Sequence, residues 1–171
     1  MKLRATSSAL LFIASTAMFG AGEKDIGIPT ASSIPPHVME AFAKFTSSDN
    51  YAFSAHINPF YVQGDFNGDG KLDTAILIKE KATGKAGFAI VHGGPSTVKV
   101  FGAGRGFGNG RDDFDWLDAW YTYAKGKVDQ GSEEGVPPKL IGDAIMVIKT
   151  HSASALVYWT GTQYQWYQQG D

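Results

Sequence analysis

Several kinds of reactive side chain are missing or scarce in this chain of 171 residues. It has no cysteine, which excludes a disulfide, a lipid-bearing N-terminal cysteine and a thiol nucleophile. Its four histidines, at positions 37, 56, 92 and 151, share no zinc-ligand spacing such as H-E-x-x-H. Ser96 ends the tetrapeptide G-G-P-S, which is not the G-x-S-x-G turn of serine hydrolases. The sequence therefore offers no candidate for covalent catalysis or for a zinc site.

A surplus of positive charge is also missing. The 15 lysines and arginines are outnumbered by 17 aspartates and glutamates, which gives a formal net charge of -2. Nucleic acids and anionic membrane surfaces are bound by clustered lysine and arginine. We therefore expect neither as a partner of the mature protein. Hydrophobic residues make up 43% of the chain and aromatic residues 13%, which is enough for one ordinary globular core.

The N-terminal stretch has the pattern of a secretory signal. Lys2 and Arg4 precede an apolar run over residues 5–19, which small serine, threonine and alanine side chains interrupt. The competing interpretation, a membrane anchor, needs about 20 predominantly apolar residues, and this run is shorter. We predict a signal peptide over 1–22, cleaved after Gly22, and a periplasmic or secreted mature protein. Cleavage removes two basic residues and none of the 17 acidic ones, so the net charge falls from -2 to -4.

The rest of the chain is predicted to be one domain behind a short lead-in. Residues 23–35 contain glycine, proline and serine without periodicity, which predicts a flexible segment. From Pro36, apolar residues recur at helical spacing as far as the polar cluster at 46–50, which predicts one amphipathic helix. Short alternating runs follow, separated by glycine, asparagine and aspartate, and these predict strands. The candidate strands are 51–56, 60–64, 73–79, 86–92, 97–101, 119–124, 144–150, 154–160 and 163–168.

These patterns together predict an α+β fold for the domain at 36–171. The N-terminal helix is expected to pack on a mainly antiparallel sheet of about six to eight strands. Short glycine-containing joints at 82–85 and 160–162 indicate hairpins. The segment 125–139 is rich in glycine, glutamate and proline, which predicts a surface loop.

The most specific chemical signal is the nine-residue segment D-F-N-G-D-G-K-L-D at 65–73. Oxygen-bearing side chains stand at its positions 1, 3, 5 and 9, and Gly70 stands at position 6, where the chain must turn sharply. Calcium is a hard cation that takes about six to eight oxygen ligands, and the main-chain carbonyl at position 7 supplies one more. The predicted calcium ligands are Asp65, Asn67, Asp69, the carbonyl of Lys71, and Asp73.

The segment departs from the helix-loop-helix calcium motif. Position 12 is Ile76, where that motif requires a bidentate glutamate. The flanks at 60–62 and 74–78 are strand-like, so the loop is expected to close a β-hairpin. A simpler alternative is that Asn67-Gly68 and Asp69-Gly70 are only turn dipeptides. Three like charges in one loop, however, cost stability unless a cation offsets them.

Residues 65–73, followed by Thr74, Ala75 and Ile76, resemble the calcium loop of FG-GAP or VCBS repeats. The pattern of those loops is D-x-[DN]-x-D-G-x-x-D between two strands. The resemblance implies the same five ligands around a structural calcium ion. Such repeats normally occur several times and build a propeller, whereas this chain has one copy, so the propeller and its ligand-binding roles are not implied. The wider pattern is similar to small exported bacterial proteins of uncharacterised family.

Two further segments carry weaker signals. The glycine-rich stretch 102–111 includes Arg105 and Arg111 and could bind an anion through backbone N–H groups, although a mobile loop explains it as well. The following carboxylates could act as acid and base in glycoside hydrolysis or hold a second cation. Carboxylates at the start of a helix explain them equally well. They are Asp112, Asp113, Asp115 and Asp118.

Aromatic residues are dense between 156 and 167. Exposed rings there could stack on sugar or anchor a protein partner. The alternative is that alternate rings pack into the core. The turn at 152–154 and the hairpin after it also resemble, over a short stretch, exported lysozyme inhibitors.

The function expected from these signals is that of an exported, non-enzymatic calcium-binding protein that binds or inhibits another exported protein. The alternative is a hydrolase that acts on envelope or extracellular polymers and is built around residues 112–118. An enzyme should have a cleft lined by at least two of those carboxylates. A binding module should instead have an exposed aromatic or flat edge.

Overall fold

The computed structural model describes residues 28–94, 97–132 and 134–170. Within these ranges the chain forms one α-helix and nine strands. Short 3₁₀ turns occur at Ala31–Ser33, Ser48–Asn50 and Gly108–Gly110. The helix and strands are α1 (Pro36–Lys44), β1 (Tyr51–Phe53), β2 (Tyr61–Gly64), β3 (Asp73–Glu80), β4 (Ala86–Val91), β5 (Val98–Gly102), β6 (Ala119–Tyr123), β7 (Ala144–Lys149), β8 (Ala153–Trp159) and β9 (Tyr164–Gly170).

The first sheet is built around β3, which is paired along both edges. β4 pairs with one edge and is itself followed by β5. β1 and β2 share the other edge, where β1 lies opposite residues 78–80 and β2 lies opposite residues 73–76. The second sheet contains β6, β7, β8 and β9 in chain order. All of these pairings are antiparallel.

The two sheets pack face to face around one buried apolar cluster. Alternate residues of β3, including Leu77, meet alternate residues of β7 and β8 there. Phe88 of β4 lies among other rings, with its ring centroid 5.7 Å from that of Phe114 and 5.6 Å from that of Trp120. Fully burying a side chain of this size contributes about 1.5–3 kcal/mol. The sandwich is therefore held mainly by this inter-sheet core.

The outer face of each sheet is covered as well. On the first sheet, Val38 and Phe42 of α1 share a buried cluster with Ile76 of β3. On the second sheet, Val128 and Leu140 belong to a buried cluster with residues of β7, β8 and β9. β3 is therefore buried on both faces, which explains why its residues 75–78 form a continuous apolar run and not an alternating pattern.

The predicted α+β class is wrong. The nine strands form two antiparallel sheets of five and four strands, with a single nine-residue α-helix in the described part of the chain. The fold is therefore mainly β. All nine predicted strands are present with shifted ends, but a pattern of strands does not say which of them share a sheet. The connection from β5 to β6 leads the chain from the first sheet to the second. Nothing in the composition of this connection indicates that the next strand belongs to another sheet.

Two sequence predictions fall partly or wholly outside the described residues. The signal segment 1–22 lies outside them, as does the lead-in up to residue 27. The described part of the lead-in includes a 3₁₀ turn and the buried side chain of Ile34. Among the residues described, no helix has the length and apolar character needed to cross a membrane.

Candidate metal centre

The predicted calcium loop closes the hairpin between β2 and β3. Gly64 at the end of β2 pairs with Asp73 at the start of β3, so residues 65–72 form the connection. The expectation that the loop joins two antiparallel strands is confirmed. Phe66, the second loop residue, is fully buried in the core between the sheets, and this burial anchors the loop to the sandwich.

Three predicted ligands turn their side-chain oxygens toward N–H groups of the same loop. Asp65 Oδ1 and Asn67 Oδ1 both accept from the main-chain nitrogen of Asp69, each at 3.0 Å. Asp65 Oδ2 accepts from Gly70 N at 3.0 Å, and Asp69 Oδ1 accepts from Lys71 N at 2.9 Å. Because both oxygens accept from the same nitrogen, Asp65 Oδ1 and Asn67 Oδ1 lie close to each other. The structure brings Asp65, Asn67 and Asp69 together in one tight bend.

The bend depends on glycine at two positions. Gly68 and Gly70 have φ angles of 75° and 81°, in the left-handed region that disfavours a side chain. A Cβ atom on Gly68 would also lie 2.9 Å from the carbonyl oxygen of Ile141. The sharp turn predicted at Gly70 is confirmed.

Asp73 occupies a different environment from the other predicted ligands. Its side chain is fully buried. Its Oδ2 accepts from the main-chain nitrogens of Phe66 and Asn67 at 2.9 and 3.2 Å, and its Oδ1 accepts from Gly93 N at 2.8 Å. Burial raises the pKa of Asp73, while these donors and the nearby His92 oppose the rise. Asp73 thus ties both ends of the loop to the end of β4.

The donor set suits a hard cation, although the structure does not gather a ready-made cluster of charged ligands. In the ranges that the structure describes, no three aspartate, glutamate, histidine or cysteine side chains are placed to hold a metal. The loop offers two carboxylates, one amide and the Lys71 carbonyl, and all of these are oxygen donors of the kind calcium prefers. Asp69 and Lys71 are exposed, whereas Asp65 and Asn67 are half-buried. Calcium coordination itself stays a prediction.

The second sheet supports the loop through the residues that precede β7. Asp143 Oδ2 accepts from Asp65 N at 3.0 Å, and Asp143 N donates to the carbonyl oxygen of Asp65 at 2.7 Å. Asp143 Oδ1 accepts from Lys125 N at 2.9 Å. A Cβ atom on Gly142 would lie 2.2 Å from the same Asp65 carbonyl oxygen. Gly142 and Asp143 could not be identified from the sequence, because a glycine and an aspartate between an apolar residue and a strand are typical of any turn.

A histidine and a tyrosine lie beside the loop. His92 Nε2 is 2.8 Å from the hydroxyl oxygen of Tyr164 on β9. Burial lowers the pKa of His92, and the charge of Asp73 opposes this effect. Burial, followed by the charges of Asp73, Asp65 and Asp69, raises the pKa of Tyr164. The negative charges of the loop therefore act on Tyr164 in the second sheet.

The four carboxylates at 112–118 have structural partners. Asp112 pairs with the ammonium group of Lys85. Asp113 Oδ1 accepts from the main-chain nitrogens of Ala86 and Asp115 at 2.9 and 3.1 Å. No helix begins among them, so the interpretation as helix-start carboxylates is wrong.

Asp118 and the neighbouring connection also have bonds of a structural kind. The carboxylate of Asp118 accepts from the main-chain nitrogen of Thr150, with 3.0 Å to each oxygen. In the glycine-rich stretch, Gly104 N donates to the Asp112 carbonyl at 2.8 Å. These bonds fasten the connection between β5 and β6 to both sheets.

A cleft of about 400 Å³, here named the tryptophan cleft, lies between this connection and the second sheet. It is lined by Arg111, Asp113 and Trp116 from the connection and by Val147, Ala155 and Trp166 from the sheet, among others. Of the four carboxylates at 112–118, only Asp113 lines it. The feature expected of the hydrolase alternative, a cleft with at least two of them, is absent from this cleft.

Two further features bear on catalysis and on the aromatic segment. Ser54 Oγ lies 2.7 Å from His56 Nδ1, a pair that the sequence analysis did not identify, but Ser54 is buried and a substrate cannot reach it. Tyr164 packs in the inter-sheet core, and Tyr167 packs on the outer face of the second sheet. Both rings pack against apolar clusters, but on opposite faces of the second sheet, so the interpretation that alternate rings pack into one core is confirmed for Tyr164 and not for Tyr167.

Comparison with known proteins adds no further assignment. No family model matches this chain, and no curated protein and no solved structure matches it. The likeness of residues 65–73 to an FG-GAP or VCBS calcium loop therefore stays a prediction from the sequence. The strand–loop–strand setting and the left-handed glycines are consistent with that likeness.

Proposed function

We propose that this protein is an exported, non-enzymatic calcium-binding domain, and that it binds or inhibits another exported protein. The proposal depends mainly on one observation. The side-chain oxygens of Asp65, Asn67 and Asp69 converge on the amides of a single bend between two paired strands.

The charge of the loop supports a cation in that bend. Asp65 and Asp69 form no ion pair with a lysine, arginine or histidine within the described residues. Their charges, with that of Asp73, contribute to the raised pKa of Tyr164. Like charges held together without a counter-charge destabilise a fold, and a divalent cation would remove that cost.

The residues of the loop would then have two different roles, binding the ion and holding the loop in shape. Asp65, Asn67, Asp69 and the carbonyl of Lys71 would hold the ion, and bound calcium would supply a double positive charge that crosslinks them. Asp73 belongs to the predicted ligand set as well. Its three bonds to main-chain nitrogens support a role in holding the loop in shape.

Two exposed apolar side chains beside the loop support binding of a partner. Leu72 is 58% exposed and Ile141 is 40% exposed. The Ile141 side chain lies against Gly68 within the loop, and Leu72 is itself a loop residue, so both side chains border the loop. An apolar surface next to a calcium loop is a suitable contact for a protein whose binding depends on calcium.

Thermal unfolding with and without calcium tests the proposed ion. Calcium should raise the melting temperature, because it binds the native loop and not the unfolded chain. Asp69→Ala should abolish this rise, and Asp49→Ala, an exposed aspartate outside the loop, should retain it. A melting curve that calcium leaves unchanged in the wild-type protein would refute the site.

Pull-down from an envelope extract tests the proposed partner. The wild-type protein should recover one protein in calcium and lose it in a chelator. Leu72→Ser should weaken the recovery without changing the calcium-induced rise in melting temperature. An equal recovery in calcium and in chelator, or none in calcium, would contradict the proposed partner.

A further inference from the structure

The tryptophan cleft lies away from the calcium loop and is not used by the proposed function. Val147 and Ala155 line it and also belong to the inter-sheet core, so its floor is a continuation of the inner face of the second sheet. Lys149 and Ala153, a register pair one step further along that face, line it too. A volume of about 400 Å³ lies within the usual range for sites that bind small molecules.

The inner part of the cleft is apolar. Trp116 and Trp166 meet edge to face, with ring centroids 6.1 Å apart and an interplanar angle of 77°. Both indole N–H groups already have acceptors: Trp116 Nε1 donates to the Gly110 carbonyl at 3.2 Å, and Trp166 Nε1 donates to Gln168 Oε1 at 3.0 Å. The two rings therefore offer apolar surface and no free donor to a ligand.

The outer part of the cleft is positively charged. Arg111 and Lys149 are exposed and line the same opening. Neither forms an ion pair within the residues described. The one carboxylate in the lining, that of Asp113, already accepts two main-chain hydrogen bonds through Oδ1. Two cations against this one carboxylate leave the lining with a net charge of +1, in a chain whose net charge is -2, and this local positive charge is suited to an anion.

The backbone and one side chain hold this arrangement in place. Arg111 has φ 61° and ψ −145°, a conformation that a residue with a side chain rarely adopts. Its carbonyl accepts from Phe107 N at 2.8 Å. Strained backbone of this kind is concentrated at functional sites. Gln168 Oε1 also accepts from Asn109 Nδ2 at 3.1 Å, and this bond fastens the 3₁₀ turn to β9.

We propose that the tryptophan cleft binds a small organic anion, namely a carboxylate attached to an aromatic or apolar body. The carboxylate lies at the mouth, with the guanidinium group of Arg111 and the ammonium group of Lys149. The apolar body lies against the half-buried rings of Trp116 and Trp166 and against Ala153, above the fully buried Val147 and Ala155. This site shares no lining residue with the calcium loop, so its test does not depend on the proposed function.

Titration of the folded protein with phenylacetate, followed by the indole N–H signals in ¹H–¹⁵N spectra, tests the proposal. Phenylacetate should shift the signals of Trp116 and Trp166 along a saturable curve, in calcium and in chelator alike. Phenylacetamide keeps the ring without the charge, and acetate keeps the charge without the ring. Phenylacetamide loses the strong hydrogen bonds to a charged group and acetate loses the apolar contact, so each should bind about tenfold or more weakly.

Variants separate the charge from the shape of the cleft. Arg111→Gly, which suits the left-handed backbone, and Lys149→Gln should each weaken phenylacetate about tenfold. Arg105→Gln, an exposed arginine outside the cleft, should leave the affinity unchanged. Equal binding of phenylacetamide, or no saturable shift with phenylacetate, overturns the proposal. A saturable shift with methyl glucoside in place of phenylacetate also overturns it and indicates a neutral sugar site.

Discussion

Asp65 and Asp143 exchange two hydrogen bonds across the two sheets. Asp65 N donates to the carboxylate of Asp143 at 3.0 Å, and Asp143 N donates to the carbonyl of Asp65 at 2.7 Å. Asp65 is the first residue of the proposed calcium loop in the first sheet, and Asp143 immediately precedes β7 of the second. An ion that orders the loop would therefore also strengthen the contact between the sheets.

Asp143→Ala should destabilise the domain. It leaves the main-chain nitrogens of Asp65 and Lys125 without their acceptors, which costs about 1–3 kcal/mol for each group that is left buried. Calcium should still bind the variant, but more weakly, because the first ligand loses its support. Urea denaturation with and without calcium measures both effects. Equal stability of Asp143→Ala and the wild-type protein would contradict the assigned role.

Gly142→Ala should displace the loop without removing any ligand. The added Cβ would lie 2.2 Å from the Asp65 carbonyl oxygen and 2.6 Å from Gly68 N, which forces the two segments apart. Both the melting temperature and its rise with calcium should fall. Gly106→Ala is the matched control, because no heavy atom lies within 4 Å of the position of its Cβ. Similar behaviour of the two variants would show that the close approach at Gly142 has no effect.

Stability should decrease in mild acid because of two half-buried histidines. Burial lowers the pKa of His92 and of His56 below the ordinary value of 6.5. These histidines therefore bind protons more readily in the unfolded chain than in the folded chain. The free energy of unfolding falls as the pH drops below 6.5 as a result. His92→Gln should show a smaller loss of melting temperature than the wild-type protein between about pH 7.5 and 5.5.

Comparison of His92→Gln with the wild-type protein at the same two pH values separates the contribution of His92 from that of Asp73. Burial raises the pKa of Asp73, so its contribution has the opposite sign and is lost as the pH rises through the range above 3.8. The exposed His151 provides the control, and His151→Gln should keep the full loss. An identical loss in His92→Gln and the wild-type protein would count against the assignment.

Asp112 and Asp113 are neighbours that should respond differently to substitution. Asp113→Ala removes the acceptor of two main-chain nitrogens and should destabilise the domain by about 1–3 kcal/mol. Asp112→Ala breaks a pair with Lys85 at the surface, where both side chains are over a third exposed, and should change stability little. Chemical denaturation of the two variants decides the matter, and a larger loss for Asp112→Ala would reverse this interpretation.

The strands and the loop could be predicted because their signals are local. Short alternating or continuous apolar runs mark the strands, and the spacing of oxygen donors with Gly70 marks the turn at 65–73. The division into two sheets could not be predicted, because β3 is apolar on both faces and gives no sign of which neighbours it has. The tryptophan cleft could not be predicted for a similar reason. Arg111 and Lys149 are distant in the sequence, and only the fold places them in the lining of one cleft.

The burial of Phe66 has a consequence for how the loop between β2 and β3 could unfold. A loop whose second side chain is part of the inter-sheet core cannot open by itself. Unfolding of the loop and loosening of the sandwich would then be the same molecular event. If calcium holds the bend as proposed, a fall in free calcium would loosen both sheets together and expose the chain to proteases.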